Sequence, residues 1–266
     1  MTNHILIEKT EQCCACGACV NTCPRNAIQM KEDAAGFLFP SVDESLCVNC
    51  GLCVKVCTFT EKGAGAHGEP EVFAAALKDQ DVLRESSSGG VFSALANAVL
   101  DRGGVVFGAA WTEDLALKHI AVENKADLQK LRGSKYAQSS TGTTFRDVKK
   151  ILAEGRTVLY SGTPCQIAGL KAYLGTDPEN LLTADLVCHG VPSQRMLRDD
   201  LQHVSRKGLR YPGPPLPRQA VRLGDQGFVQ TGKQKSEIQR RHLSLLLLLP
   251  EGRGVPGKLL PLPFPV

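Results

Sequence analysis

The chain has 266 residues, of which 42% are hydrophobic and 22% charged, and its formal net charge is +4. This composition is ordinary for a globular protein, and the length allows one large domain or two modest ones. No run of about eighteen apolar residues occurs, which argues against a membrane span, and the N-terminus lacks the basic and apolar regions of a signal peptide. We therefore expect a cytoplasmic protein that is not bound to a membrane.

Two cysteine runs dominate the first sixty residues, which hold nine of the eleven cysteines. Each run has the spacing C-x2-C-x2-C-x3-C: the first consists of Cys13, Cys16, Cys19 and Cys23, and the second of Cys47, Cys50, Cys53 and Cys57. This is the ligand pattern of two-cluster bacterial ferredoxins, in which the fourth cysteine of each run ligates the other cluster. We therefore predict two 4Fe–4S clusters, one held by Cys13, Cys16, Cys19 and Cys57 and the other by Cys47, Cys50, Cys53 and Cys23.

Two other uses of these cysteines fit the sequence less well. A disulfide framework needs an oxidising compartment, and nothing in the sequence indicates export. A structural zinc site needs only paired C-x2-C units, so triplets followed by a fourth cysteine exceed its needs. Cys14 lies outside the ligand spacing and is expected to be a packed thiol.

Residues 1–62 are predicted to form an α+β, ferredoxin-like two-cluster module. Pro24 is expected to end the short helix of the first run, because it has no N–H to continue the helical hydrogen bonds. The alternation of Phe37 and Phe39 predicts a strand or hairpin that covers the clusters. Residues 63–71 contain glycine and proline among polar residues and are predicted to be a linker.

Residues 72–204 are predicted to form an α/β domain with a mostly parallel sheet, because strands alternate with helices of about ten to fifteen residues. The strands are expected at 72–78, 105–111, 118–123, 157–162 and 181–190, and the helices at 91–104, 143–155, 163–175 and 191–204. The inward faces of the first two helices are predicted to carry Val91, Leu95 and either Ala98 or Val99, and then Phe145, Val148, Ile151 and Leu152.

Cys165 and Cys188 each follow a predicted strand. In a parallel sheet both positions lie near the carboxyl ends of strands, where ligands bind. Cys165 also falls in the first turn of a predicted helix, which is expected to lower its thiol pKa. The two cysteines could share a cluster, form a redox pair, contact a cofactor or be small buried side chains, and their spacing does not decide between these uses.

Two loops carry groups that suit a phosphate. The serine- and glycine-rich stretch 86–90 can present backbone N–H groups to an anion at a helix N-terminus, or it can serve as a helix cap and turn. In the stretch 133–136, Lys135 offers a cation and Tyr136 a stacking ring, although a solvated loop is the simpler interpretation. Neither stretch contains a G-x-G-x-x-G or GK[ST] motif.

Residues 205–266 lack a helical or strand period and hold nine of the fifteen prolines. They also hold eleven Lys or Arg against three Asp or Glu, whereas the rest of the chain has a small excess of acids. We predict a tail that is disordered or that arises from an out-of-frame reading of the gene. Nucleic-acid binding rests on this basic tail alone, without a recognised motif, and is not favoured.

Four strings of the α/β domain occur in a fixed order: SSSGG (86–90), LRGSKYAQS (131–139), VLYSGTPCQIAGL (158–170) and DLVCHGVPS (185–193). With the cysteine module in front of them, they resemble the coenzyme F420 hydrogenase/dehydrogenase beta-subunit family over about residues 72–200. The resemblance implies a flavoprotein that passes electrons between iron–sulfur clusters, FAD and a substrate such as the deazaflavin F420. It also implies a flavin site around Ser87, Ser88, Gly89, Gly90, Ser134, Lys135 and Thr163.

The resemblance further implies a third cluster, bound by Cys165 and Cys188 with a later C-x2-C pair. No cysteine follows Cys188, so this cluster is expected to be incomplete. We therefore expect an iron–sulfur flavoprotein oxidoreductase that exchanges electrons with a redox partner protein or a soluble electron carrier. The alternative is a non-enzymatic, ferredoxin-like electron carrier whose substrate domain is truncated and inactive.

Overall fold

The computed structural model describes residue 5 and residues 13–59, 72–114 and 116–206. The predicted linker at 63–71 lies outside the described residues, and so does all of the predicted tail after Arg206. We call residues 13–59 the dicluster module and residues 72–206 the α/β domain. No helix in these described ranges has the length and apolar character needed to cross a membrane.

The dicluster module contains two short helices and one hairpin. Its elements are α1 (Ala18–Thr22), β1 (Ile28–Glu32), β2 (Leu38–Val42) and α2 (Leu52–Lys55). The strands pair antiparallel with Ile28 opposite Val42, and β2 is the strand predicted near Phe39. The turn closes because the Asp33 carboxylate accepts the N–H groups of Ala35 and Phe37, while Gly36 adopts a φ of 83°, which favours glycine.

The α/β domain is built on one four-stranded sheet. Its helices are α3 (Gln80–Arg84), α4 (Val91–Leu100), α5 (Thr144–Ala153), α6 (Pro164–Leu174) and α7 (Gln194–Arg206), and its strands are β3 (Val105–Trp111), β4 (Leu117–Val122), β5 (Val158–Gly162) and β6 (Leu181–Asp185). The strand order is β4-β3-β5-β6. Strand β5 is parallel to both β3 and β6, and β4 is antiparallel to β3, so the predicted mostly parallel sheet is confirmed.

The alternation of side chains along the strands gives the sheet an apolar core on each face. On one face Phe107 and Tyr160 pack with α5 and α6 residues such as Phe145 and Leu170. On the opposite face, the β3, β4 and β5 residues Val106, Val122 and Leu159 pack with α4. Because successive residues of a strand point to opposite faces, both cores follow from the same apolar runs. The α1 helix of the dicluster module joins the first core through Ala18.

The structure corrects three details of the predicted elements. Residues 72–77 form no strand; Val72 is 90% and Phe73 65% exposed, and Leu77 donates its N–H to the carbonyl of Gly89. In α4, Val91 is exposed and the fully buried positions are Ser93, Ala96, Val99 and Leu100. Strand β6 ends at Asp185 rather than 190, so Cys188 lies in the loop beyond it.

The hairpin of the dicluster module docks on the start of α7. Ser193 donates its hydroxyl hydrogen to the carbonyl of Ala35 at 2.6 Å, and Arg195 donates to the carbonyl of Ala34 at 2.9 Å. Further along the helix, Arg198 forms an ion pair with Glu32 at 3.0 Å. The hairpin therefore holds the module against the α/β domain at a contact separate from that of α1.

Candidate metal centre

The eight cysteines of the two runs line two pockets in the dicluster module. One pocket is bordered by Cys23 of the first run and by Cys47, Cys50 and Cys53 of the second. The other is bordered by Cys13, Cys16, Cys19 and Cys57, together with Cys14. We call the pocket with Cys13 the first pocket and the pocket with Cys47 the second pocket. Each run thus sends its fourth cysteine to the pocket formed by the other run.

The two runs fold into the same loop. In the first C-x-x-C unit of each run, the residue just before the second cysteine has a positive φ, which is 54° at Ala15 and 59° at Asn49. The glycine just after that cysteine also has a positive φ, 83° at Gly17 and 74° at Gly51. This backbone directs the N–H of Ala15 to Cys13 Sγ at 3.3 Å and that of Asn49 to Cys47 Sγ at 3.5 Å. Hydrogen bonds to the sulfurs are one of the factors that set the potential of an iron–sulfur cluster.

The fourth cysteine of the first run receives the same kind of contact. The N–H of Ala27 donates to Cys23 Sγ at 3.3 Å, and the N–H of Ile5 donates to Cys53 Sγ at 3.3 Å. Apolar side chains, among them Ile28 and Val42, surround the buried Cys19 and Cys53. This cover limits the access of water, which tunes the redox properties of a bound cluster.

In the absence of a metal, the surroundings of three of these cysteines raise the thiol pKa and so disfavour the thiolate. Burial, followed by the charge of Cys13, raises the pKa of the Cys19 thiol to about 12. Burial also raises the pKa values of the Cys13 and Cys53 thiols. The charge of Cys57 is a further cause at Cys13. A bound cation reverses this preference, because metal coordination deprotonates a thiol outright. The pockets therefore suit thiolates that are bound to iron.

The cysteines in the described part of the chain are not arranged around a single metal ion. Within the described part of the chain, no three His, Cys, Asp or Glu side chains converge closely enough to hold one metal ion. A cubane places each of its four thiolates on a different iron atom, so the sulfurs stand further apart than they do around a single zinc. None of the eleven cysteines, all of them in described positions, forms a disulfide bond.

The first pocket lies against the α/β domain. Cys16 packs on the core that α5 and α6 share, and Thr141 donates its hydroxyl hydrogen to the Cys16 carbonyl at 3.1 Å. In the second pocket Cys50 is exposed and Val48 is 59% exposed. The two pockets thus differ in their surroundings: the first pocket packs on the α/β domain through Cys16, and the second exposes one of its cysteines.

Cys165 lies beside the first pocket, at the start of α6. Its thiol is hydrogen-bonded to the thiol of Cys14 and lies 3.1 Å from the hydroxyl of Thr163. The expected lowering of the Cys165 pKa is wrong: the hydrogen bond with Cys14, and then burial, raise it. Cys14, which is also hydrogen-bonded to Cys16, has its pKa raised to about 12. Cys14 is half-buried and lines the first pocket, and its expected role as a packed thiol stays a prediction.

Cys188 lies in an exposed loop after β6. The flanking Leu186 and Val187 are 61% and 104% exposed, and the N–H of Gly190 donates to Cys188 Sγ at 3.4 Å. Parallel pairing of β5 and β6 brings the loops of Cys165 and Cys188 to the same edge of the sheet. The sharing of a third cluster by these two cysteines stays a prediction.

The two loops predicted to hold a flavin lie side by side. Ser87 Oγ accepts the backbone N–H of Ser134 at 3.1 Å and the hydroxyl hydrogen of Ser134 at 3.2 Å. Beside them, Arg132 forms an ion pair with Glu85 at 2.7 Å. Ser88 has a φ of 50°. The loops therefore form one surface, as a shared binding site requires.

Two of the residues predicted for the flavin site, Lys135 and Gly89, are held by contacts within the protein. Lys135 Nζ donates to the carbonyls of Leu131, Arg132 and Gly133 at 2.9, 2.8 and 3.1 Å. These bonds engage all three hydrogens of an ammonium group, and burial lowers the Lys135 pKa to about 8. Gly89 is packed so that a Cβ would meet the Ala75 carbonyl at 2.1 Å.

Thr163 and Gly90 both stand at the start of a helix. Thr163 is the N-cap of α6 and forms a capping box with Gln166, which satisfies two N–H groups at the helix start. Gly90 is the N-cap of α4, with a φ of 72°. Both residues therefore have a local structural role whether or not a cofactor binds beside them.

Two residues of interest give no signal in the sequence. His119 is buried on β4, where it stacks on Tyr160 and contacts the Ser161 carbonyl at 3.1 Å. Arg146, on α5, reaches across to the dicluster module. A histidine in a strand and an arginine in an amphipathic helix are both commonplace, so only the fold identifies them.

Comparison with known proteins agrees with this arrangement. The family model for the 4Fe-4S dicluster domain matches residues 12–60, so the chain is an iron–sulfur protein of the electron-transfer class. Models for the N-terminal and C-terminal parts of the coenzyme F420 hydrogenase/dehydrogenase beta subunit match residues 72–145 and 155–208. The chain therefore belongs to the coenzyme F420 hydrogenase/dehydrogenase beta-subunit family, and the predicted resemblance is confirmed.

Individual relatives come from methane-producing archaea. An uncharacterized protein of Methanocaldococcus jannaschii is 26% identical over 203 residues, which are 65% of this chain and 55% of that protein. The coenzyme F420-dependent sulfite reductase of the same organism is 30% identical over 161 residues, covering 60% of this chain and 24% of the reductase. The chain thus spans about half the length of the first relative and a quarter of the second.

Among solved structures, the chain is similar to part of the F420-reducing [NiFe] hydrogenase complex from Methanosarcina barkeri. The TM-score is 0.42 at 21% sequence identity, and the match covers 50% of this chain and 49% of the other.

Proposed function

We propose that this chain is an oxidoreductase subunit that moves electrons between a soluble redox partner and a flavin-type or deazaflavin-type carrier through two 4Fe–4S clusters. The observation that carries the proposal is the division of eight cysteines into two pockets of four. When bound, the two clusters supply one-electron transfer. The cysteine thiolates would bind the iron, the apolar side chains around them exclude water, and backbone N–H groups donate hydrogen bonds to sulfur.

The surroundings of the two pockets favour a direction for the transfer. The second pocket opens to solvent at Cys50, where Val48 and Leu52 form an exposed apolar rim, so we propose that a redox partner protein or a soluble electron carrier approaches there. The first pocket lies against α6 through Cys16. We propose that this side faces the organic carrier.

FAD and the substrate are the finer parts of the proposal. We propose that FAD, if it binds, lies along the paired loops of Ser87, Ser88, Gly89, Gly90 and Ser134, with Thr163 nearby. Lys135 supports that surface by fixing the loop at 131–135, since its ammonium hydrogens are engaged with backbone carbonyls. The matched family and one of the relatives, the sulfite reductase, are named for coenzyme F420, so we propose a deazaflavin of that type as the substrate.

The test is anaerobic reconstitution of the full chain followed by iron, sulfide and flavin analysis and by an assay with reduced coenzyme F420 and a one-electron dye. About eight irons, bound FAD and oxidation of the deazaflavin support the proposal. About eight irons without oxidation of the deazaflavin favour the alternative, a ferredoxin-like electron carrier. About four irons or fewer contradict the two-cluster assignment itself.

A further inference from the structure

Arg146 ties the α/β domain to the turn of the dicluster module that carries Cys23. From the first turn of α5, its guanidinium donates to the carbonyls of Asn21, Val20 and Cys23 at 2.7, 2.9 and 2.9 Å. It also donates to the side-chain oxygen of Asn26 at 2.7 Å. All three donor nitrogens of one guanidinium are thus engaged within a single turn.

Arg146 binds carbonyls at the C-terminal end of α1: those of Val20 and Asn21 belong to the helix, and that of Cys23, the C-cap, also accepts the N–H of Asn26 at 3.3 Å. Helix α1 has five residues, and the last carbonyls of a helix have no intrahelical donor. A planar guanidinium satisfies several acceptors at once with little loss of side-chain entropy for each bond formed, which an ammonium cannot match. Arg146 therefore fixes the C-terminal end of α1 from outside the module.

The turn fixed in this way determines the position of the Cys23 thiol. Cys23 directly follows α1 and crosses to the second pocket, and its carbonyl is one of those held by the guanidinium. The peptide on the other side of this turn is fixed by the N–H of Ala27, which donates to Cys23 Sγ. Asn26, between them, has a φ of 51°, a conformation that asparagine tolerates better than most residues.

Neighbouring residues extend the same contact. Asn21 donates its side-chain N–H groups to the carbonyls of Gly17 and Gly142, both at 2.9 Å, and its side-chain oxygen accepts the backbone N–H of Arg146 at 3.3 Å. Asn21 is 3% exposed. The segment 141–146 of the α/β domain thus contacts the first run from Cys16 to Cys23, and Arg146 provides the charged part of that contact.

We propose that Arg146 is a positioning residue through which the α/β domain controls the second cluster. By holding the Cys23 turn, it determines whether that cluster is completed. Its positive charge beside the Cys23 peptide also stabilises the reduced, more negative form and so raises the reduction potential. This inference rests on the proposed function, because it presupposes that the second pocket binds a 4Fe–4S cluster.

The test compares Arg146→Met and Arg146→Lys with the wild-type chain after anaerobic reconstitution. In the Met variant, iron falls from about eight towards about four atoms per chain, and the lost EPR signal is the one also missing from Cys23→Ser. In the molecules that keep both clusters, the midpoint potential of the second cluster is more negative than in the wild type. The Lys variant also loses iron, but its remaining second cluster keeps a potential close to that of the wild type, because the charge remains.

Two further variants separate this role from a general loss of folding. Arg156→Met removes a matched arginine, which donates to the Gly103 carbonyl and pairs with Glu123, and it retains about eight irons. Asn26→Gly removes one acceptor of the Arg146 guanidinium at a position whose φ suits glycine, and it lowers second-cluster occupancy less than Arg146→Met does.

The outcomes distinguish this inference from the proposed function. The inference is overturned if Arg146→Met keeps its full iron content and an unchanged redox titration. It is also overturned if Arg146→Met and Asn26→Gly each lose the first cluster as much as the second. A wild-type chain that binds no clusters contradicts the proposed function instead.

Discussion

Cys16 and Gly169 are in direct contact across the boundary between the dicluster module and the α/β domain. A Cβ added at Gly169, in the middle of α6, would lie 2.9 Å from both Cβ and Sγ of Cys16. Real Cβ atoms do not approach other heavy atoms so closely. Cys16, which lines the first pocket, therefore packs directly on the bare backbone of a helix that belongs to the other domain.

We expect Gly169→Ala to disturb the first cluster selectively. Alanine favours a helix by about 1 kcal/mol relative to glycine, so the helix itself should not be weakened. The new methyl group instead displaces the Cys16 thiol, and iron should fall towards about four atoms per chain, which anaerobic reconstitution and EPR measure. Gly108→Ala is the control, because a Cβ there meets Leu131 at 3.5 Å, an ordinary contact. Full iron content in Gly169→Ala would contradict the expected displacement.

Replacement of the two fourth cysteines tests the crossed arrangement of the pockets. Cys23→Ser should lose the cluster bound mainly by the second run, because Cys23 lines the second pocket. Cys57→Ser should lose the cluster bound mainly by the first run, because Cys57 lines the first pocket. Each reduced variant should show the EPR signal of one isolated cluster, and the two signals should differ from each other. If Cys23→Ser instead lost the signal that Cys57→Ser is expected to lose, each run would bind its own cluster.

The regular spacing of the cysteines predicts four ligands for each cluster, and the structure places each of these sets at one pocket, with Cys14 as a fifth cysteine at the first pocket. Three cysteines at two-residue gaps can converge only in a tight loop, and the fourth, which follows after three intervening residues, is carried past it. That these thiols bind iron stays a prediction. The strands β3 and β5 were equally predictable, because each is a short apolar run whose alternate residues fill both faces of the sheet.

Other features depend on contacts between distant residues. The apolar run at 72–78 has the composition of a strand, but Val72 and Phe73 are exposed. These residues do not pair with a strand of the sheet, so their strand propensity alone did not decide their structure. Lys135 reads as a cation for a ligand, whereas its ammonium is engaged with carbonyls of its own loop. The raised pKa of Cys165 comes first from Cys14, which is far away in sequence. The rule that a helix N-terminus lowers the pKa of a thiol takes no account of a hydrogen bond from a residue so distant in sequence.

Removal of the cysteines outside the two runs should leave the iron content unchanged. Cys165→Ser and Cys188→Ser are each expected to retain about eight irons, because both thiols lie outside the two sets of four that line the pockets. Cys13→Ser provides the comparison, since it removes a pocket thiol and should lose about half of the iron. A loss of iron in both Cys165→Ser and Cys188→Ser, measured on the full chain, would reveal a further cluster that these residues share.

His119 should make the stability of the α/β domain depend on pH. Burial lowers its pKa from 6.5 to about 4, so below about pH 6.5 the unfolded chain takes up a proton that the folded chain does not. The free energy of unfolding therefore falls as the pH falls from about 6.5 to about 4, by an amount on the order of 3 kcal/mol. Urea unfolding followed by circular dichroism under anaerobic conditions, at pH 7 and pH 5, measures this loss.

His119→Gln is the variant that isolates this effect. Glutamine keeps an N–H donor for the Ser161 carbonyl, which His119 contacts at 3.1 Å, but it does not titrate and it loses the ring stacked on Tyr160 at a centroid distance of 5.3 Å. The variant should therefore be less stable than the wild type at pH 7 and lose less stability on going to pH 5. His189→Gln, in the exposed loop after β6, should keep the wild-type dependence. If His119→Gln lost as much stability as the wild type over this range, the acid sensitivity would have to arise from other groups, because the side chain at position 119 no longer titrates.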